Sequence, residues 1–239
     1  MRNRLILLPG WGLGVSPLEP LALALRELDE HVRVEIEPLP VLTSAHLNDW
    51  LDALDATLPD NTWLGGWSLG GMLASELAAR RGDRCCGLVT LASNPCFVSR
   101  QDWPSGMPVA TFEAFVTGFR DAPNTTLKRF SLLCSQGKAM ASLLLNAAPK
   151  ADPDTLLAGL ELLGKLDTRS ALQTFNGPQL HVFAGQDALV PAKAAADLLE
   201  HLPDVEVGLI EQACHAFILQ APHELAAAIQ FFLHECRDD

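Results

Sequence analysis

Ser68 stands in Gly66-Trp67-Ser68-Leu69-Gly70, a Gly-x-Ser-x-Gly pentapeptide between an apolar run (62–65) and a helix-forming stretch (72–80). At a strand-to-helix junction this pattern makes a sharp turn that lifts a serine hydroxyl above the sheet. Such a strained turn needs neighbours without Cβ atoms, so that strand and helix can approach closely. The helix behind it points its N-terminal N–H groups at any anion forming there. A serine hydroxyl is a weak nucleophile at neutral pH, so it needs a base, and the base needs an orienting acid. Two residues fit those roles. Asp187 follows the apolar run 179–184, and His215 follows the run 205–210. Taken alone, Asp187 is equally a turn or capping residue ahead of Pro191, and His215 a hydrogen-bonded structural histidine. The order Ser68, Asp187, His215, with each residue just past a strand, favours a catalytic triad. The other six histidines do not follow a strand in this way, and Asp167 is the reserve acid.

Positioning three distant side chains requires a regular scaffold. Apolar runs at 4–8, 32–36, 62–65, 86–92, 179–184 and 205–210 read as strands. Helical patterns at 17–28 (Leu18, Leu21, Leu25 and Leu28 on one face), 45–58, 72–80, 191–201 and 222–234 alternate with them. Strand–helix repeats with near-continuous apolar strands imply an α/β fold with a mostly parallel, doubly wound sheet. Ligands of such sheets gather at the carboxyl ends of the strands, where all three residues would meet. From 99 to 170 the strands stop and helical stretches carry Phe112, Phe115, Phe119 and Phe130. The expected division is a core of 1–98 and 171–239, with 99–170 inserted as a helical cap. A forming oxyanion needs two donors. These are the backbone N–H of Leu69, after the nucleophile, and that of Trp11 in the loop Pro9-Gly10-Trp11-Gly12. That loop lacks the spacing of a dinucleotide or phosphate-binding motif.

Of 239 residues, 49% are hydrophobic and 19% charged, the balance of an ordered globular enzyme. No apolar run approaches the roughly 20 residues that span a bilayer, and 1–8 is too short for a signal peptide. Membrane association is therefore not expected. Six cysteines, among them Cys85-Cys86, show no C-x-x-C or Cys/His metal spacing, so they read as free thiols in a reducing cytoplasm. Neither a metal nor an organic cofactor is expected. Cys214, beside His215, lacks an elbow and reads as a packing residue. The net charge of −12 argues against nucleic acid. Against that acidity, residues 120–150 hold Arg120, Lys128, Arg129, Lys138 and Lys150 and a single acid, Asp121.

Leu8-Pro9-Gly10-Trp11-Gly12, Gly65 to Gly71, Ala92-Ser93-Asn94-Pro95-Cys96-Phe97 and Asp102-Trp103-Pro104 give the chain a family likeness. It resembles the pimeloyl-[acyl-carrier protein] methyl ester esterases of bacterial biotin synthesis, within the α/β-hydrolase superfamily. The likeness extends through Asp187 to Pro191 and Ala213 to Phe217. It implies a cytoplasmic serine carboxylesterase with Ser68, Asp187 and His215 as triad and Trp11 and Leu69 as oxyanion donors. By the same likeness Trp11, Trp67, Phe115 and Phe130 line the acyl site, and the substrate arrives on a transiently bound acyl-carrier protein. The family grips that acidic carrier with cap arginines. Arg129 occupies such a place, Lys128 adds a base, and Thr125 stands where another arginine is expected. Arg120, Lys128, Arg129, Lys138 and Lys150 would form the landing face, since local charge within a Debye length of about 8 Å outweighs distant net charge. The same triad also suits a general short-chain esterase or lactonase acting on small esters, a perhydrolase, or a non-catalytic ligand receptor.

Overall fold

The computed structural model describes residues 4–148 and 151–236. In chain order the first half contains β1 (Arg4–Leu8), α1 (Glu19–Leu28), β2 (Arg33–Ile36), α2 (Leu47–Thr57), β3 (Thr62–Trp67), α3 (Leu69–Arg81) and β4 (Cys85–Leu91). Five helices follow: α4 (Val109–Asp121), α5 (Pro123–Cys134), α6 (Lys138–Ala147), α7 (Pro153–Lys165) and α8 (Arg169–Thr174). The alternation then resumes with β5 (Gln179–Ala184), α9 (Lys193–His201), β6 (Glu206–Ile210), α10 (Phe217–Gln220) and α11 (Pro222–Glu235).

The six strands form one sheet in the order β2-β1-β3-β4-β5-β6, and every pairing is parallel. The interior strands β3 and β5 are buried along their whole length, whereas β6, at an edge, is half exposed. This is the burial that near-continuous apolar runs demand. The chain moves from β1 outward to β2, then returns past β1 to β3 and continues the other way. Right-handed crossovers therefore place α1 on one face and α2 and α3 on the other. In keeping with this, α1 packs on α11, while α3 packs on α2 and α8. The direction reverses between β1 and β3, and a crevice opens at the carboxyl ends of those two strands.

Three expectations shift in detail. The helix from 17 opens as a 3-10 turn over Ser16–Leu18, because Pro17 and Pro20 cannot donate the N–H groups of a regular first turn. The segment before α4 is a compact loop with bridges Val98–Met107 and Arg100–Trp103. Finally, α8 begins at Arg169, across the expected boundary at 170, and packs against α3 of the core.

Candidate active site

Ser68 links β3 to α3 with φ 56° and ψ −119°, a backbone region that L-residues avoid. Holding a serine there costs about 1–3 kcal/mol. The surroundings supply the restraint. The Ser68 amide donates to Leu91 O at 2.9 Å, and its carbonyl accepts from Gly71 N (3.0 Å), Met72 N (3.2 Å) and Ser93 Oγ (2.9 Å). The flanking glycines are steric necessities. A Cβ on Gly66 would stand 2.3 Å from the Gly70 carbonyl carbon, and one on Gly70 would stand 2.4 Å from Leu8 O. The second contact also shows that the loop leaving β1 runs directly against the elbow.

Asp187 and His215 come together from the loops after β5 and β6. His215 Nδ1 lies 2.7 Å from Asp187 Oδ2, and both side chains are wholly buried. The other carboxylate oxygen, Oδ1, accepts the amides of Leu189 (2.8 Å) and Val190 (2.9 Å). Both acceptors are thereby occupied, the condition for keeping a carboxylate out of water. Since a carboxylate only accepts, the shared proton sits on Nδ1, and in the neutral ring Nε2 carries the free lone pair. Nε2 is buried and makes no hydrogen bond within the protein. The ring is set beside the elbow by Trp67, whose indole N–H donates to His215 O at 2.9 Å and whose ring centroid lies 5.5 Å away. The structure thus joins Asp187 to His215 and sets His215 against the neighbour of Ser68. No hydrogen bond joins Ser68 Oγ to Nε2.

The reserve acid is elsewhere. Asp167 binds Arg169 through contacts of 2.6 and 2.9 Å, and that guanidinium holds its carboxyl down to about 2. Cys214 is buried with its sulfur 3.9 Å from Met140 Sδ, and burial pushes its thiol up, which leaves it a poor nucleophile. No disulfide joins any of the described cysteines. Among the described residues no group of three or more His, Cys, Asp or Glu is arranged to hold a metal ion.

Beside the elbow an apolar cavity of about 150 Å³ is lined by Trp11, Leu69, Val15, Leu39, Trp50 and Leu156, among others. Trp11 borders it, whereas Trp67, Phe115 and Phe130 lie elsewhere. Trp67 is turned onto His215. Phe115 and Phe130, with Phe119, pack edge-on around the Trp11 ring at 5.6, 5.1 and 5.4 Å. The Trp11 indole N–H donates to Leu156 O at 2.6 Å. The loop after β1 is thus gripped by α4, α5 and α7, and burying Phe119 there contributes about 1.5–3 kcal/mol. Trp50 and Leu39, which sequence reasoning missed, enter the cavity from α2 and from the loop after β2. Their positions past a strand end and on an inward helix face were the available signals.

Of the basic residues, Lys128 and Arg129 are exposed on α5, and Lys138 is exposed at the start of α6. Arg120 lies in the last turn of α4 and is paired with Glu161 of α7 at 2.7 Å. Lys150 lies outside the described residues.

Residues 5–228 match the alpha/beta hydrolase family. The chain is 36% identical to a pimeloyl-[acyl-carrier protein] methyl ester esterase of Aromatoleum aromaticum, over 96% of this chain and 97% of that one. It is 35% identical to the biotin biosynthesis bifunctional protein BioHC of Cellvibrio japonicus, over 97% of this chain but only 47% of that longer one. The chain thus spans about half the length of the bifunctional relative and nearly all of the esterase. Among solved structures, a bromoperoxidase from Bacillus anthracis superposes with a TM-score of 0.83 at 23% identity, covering 98% of this chain and 92% of the other, a likeness of fold. The chain belongs to the alpha/beta hydrolase family and, within it, to the pimeloyl-[acyl-carrier protein] methyl ester esterases.

Proposed function

We propose that this protein is a serine carboxylesterase that hydrolyses the methyl ester of pimeloyl-[acyl-carrier protein], releasing methanol and the free carboxylate in biotin biosynthesis. The observation that carries the reading is the buried Asp187–His215 pair at 2.7 Å, set beside a strained Ser68. Ser68 Oγ attacks the ester carbonyl while His215 Nε2 accepts its proton, and Asp187 stabilises the imidazolium that results. The N–H groups of Trp11 and Leu69 receive the oxyanion. Neither amide has a backbone acceptor among the described residues, which leaves both available. His215 returns its proton to the departing methanol, and a water molecule hydrolyses the acyl-serine by the reverse proton path. The Ser68 Oγ–His215 Nε2 hydrogen bond forms when substrate binds, since catalytic hydrogen bonds are often long or poorly aligned in the free enzyme. The exposed Lys128, Arg129 and Lys138, with Arg120 and Lys150, form the landing face for the acidic carrier.

A second reading, a short-chain ester hydrolase without carrier dependence, is favoured by the small apolar cavity and by Thr125 in the cap. The test is growth without biotin of a bacterial strain lacking its own esterase of this type. Rescue by the wild-type chain but not by Ser68→Ala supports the proposal. Failure to rescue, combined with hydrolysis of small esters in vitro, moves the assignment to the second reading.

A further inference from the structure

Ser93, in the Ala92-Ser93-Asn94-Pro95-Cys96-Phe97 segment, is used by no step of that reaction. Its side chain is buried, and its hydroxyl donates to the Ser68 carbonyl at 2.9 Å. The peptide linking Ser68 to Leu69 is a rigid plane. In a trans peptide the C=O and the following N–H point in opposite directions across that plane, and the described residues contain no cis peptide bond. Whatever fixes the Ser68 carbonyl therefore also fixes the direction of the Leu69 N–H. We propose that Ser93 is a positioning residue whose hydroxyl, together with the Gly71 and Met72 amides that donate to the same carbonyl, locks the Ser68–Leu69 peptide plane and so aims the Leu69 N–H at the developing oxyanion.

The proposal rests on Leu69 being an oxyanion donor, as argued above. A second observation concerns how firmly Ser93 is itself held. Ala92, before it, has a φ of 45°, so the segment opens with a strained residue. The Ala92 amide donates to Val182 O at 2.8 Å, and the Pro95 carbonyl accepts the Thr168 amide at 2.9 Å. Between them, Asn94 donates to Ser105 O (2.7 Å) and accepts the Trp103 indole N–H (2.8 Å). Ser105 Oγ in turn donates to Asp197 on α9, the helix that follows the Asp187 loop. A hydroxyl on a loose loop would follow the Ser68 carbonyl if the plane rotated, whereas one anchored on both sides resists rotation. Donation to the carbonyl also polarises the peptide group and strengthens its N–H as a donor.

The test measures kcat and KM on a small ester, together with the inhibition constant of a trifluoromethyl ketone. The serine adduct of that ketone carries an oxyanion where the ester's would form. For Ser93→Ala, kcat should fall and the inhibition constant should rise, each by about tenfold, with KM changed less than about twofold. Ser93→Thr, which keeps the hydroxyl, should recover to within about threefold of wild type. A Ser93→Ala variant with a lowered Tm but unchanged kcat and inhibition constant overturns the proposal and makes Ser93 purely structural. Should Ser93→Ala not fold, Ser93→Cys has similar size and a weak donor and carries the same expectations. Wild-type protein that neither hydrolyses the ester nor binds the ketone overturns this inference together with the hydrolase reading. Binding with no Ser93 effect overturns this inference alone.

Discussion

The carboxyl end of the sheet and the helical layer between β4 and β5 are built on opposite principles. At the sheet end polar groups are buried and individually assigned: one oxygen of Asp187 to His215, the other to two amides, and the Ser68 carbonyl to three donors. In the helical layer the contacts to the site are mainly aromatic, with Phe115, Phe119 and Phe130 around one indole that also donates to Leu156 O, while Lys128, Arg129 and Lys138 face solvent. Buried hydrogen bonds fix atoms to within tenths of an ångström, as bond-making requires. Apolar packing fixes volume and tolerates repacking, which suits a surface that must admit different acyl chains or a moving partner. On the proposed function chemistry and selectivity are thereby separated, and substitutions should separate them too.

The largest effect belongs to the sheet end. Asp187→Asn should lower kcat on the order of 10⁴-fold, because the amide favours the wrong imidazole tautomer. Stopped-flow or initial-rate measurements on a p-nitrophenyl ester would show it. The other aspartate in question gives the contrast. Asp167→Asn removes an arginine partner but should leave kcat within about twofold of wild type while lowering Tm. A large kcat loss there would break the distinction between the two acids.

Next comes the helical layer. Reversing charge with Lys128→Glu and Arg129→Glu together should raise KM for a carrier-bound ester roughly tenfold and leave KM for small esters unchanged. Raising the salt concentration should shrink that difference, since surface attraction is screened. Equal effects on both kinds of ester would place these residues in the site rather than on a landing face.

The smallest expected effect lies beneath both regions. Glu76, half-buried on α3, has its carboxyl pushed up to about 7, mainly by burial and then by nearby Asp167. A folded-state value above the ordinary 4.5 means the fold disfavours the carboxylate. The resulting stabilisation is complete below pH 4.5 and is lost as pH rises through about 7. Glu76→Gln should therefore match wild type in Tm at pH 4.5 and exceed it at pH 8, with kcat unchanged. Thermal melts at the two pH values decide it.

The sheet was legible because its strands are short apolar runs punctuated by loops, and 179–184 coincides with β5 to the residue. The elbow was legible because its constraint is local: Gly66 and Gly70 are needed within two residues of Ser68 on either side. Side-chain direction was not legible. No spacing in the sequence says that Trp67 packs on His215 or that Phe115 and Phe130 pack on Trp11. An aromatic residue at a helical position reports burial, and nothing in its spacing says against what. Trp50, Leu39 and Ser93 went unassigned for the same reason, since their partners are distant in sequence.

By itself the sequence determined the order of strands and helices, the strained serine and the family, because each depends on residues that are neighbours along the chain. Only the tertiary structure decided which acid meets His215, which aromatics bound the cavity and which hydroxyl holds the Ser68 carbonyl. Those outcomes depend on distances of a few ångströms between groups that are 28 residues apart in the acid–base pair and 145 apart where Trp11 reaches Leu156. Chain neighbours cannot set such distances. The twist of the sheet and the packing of the helices set them together.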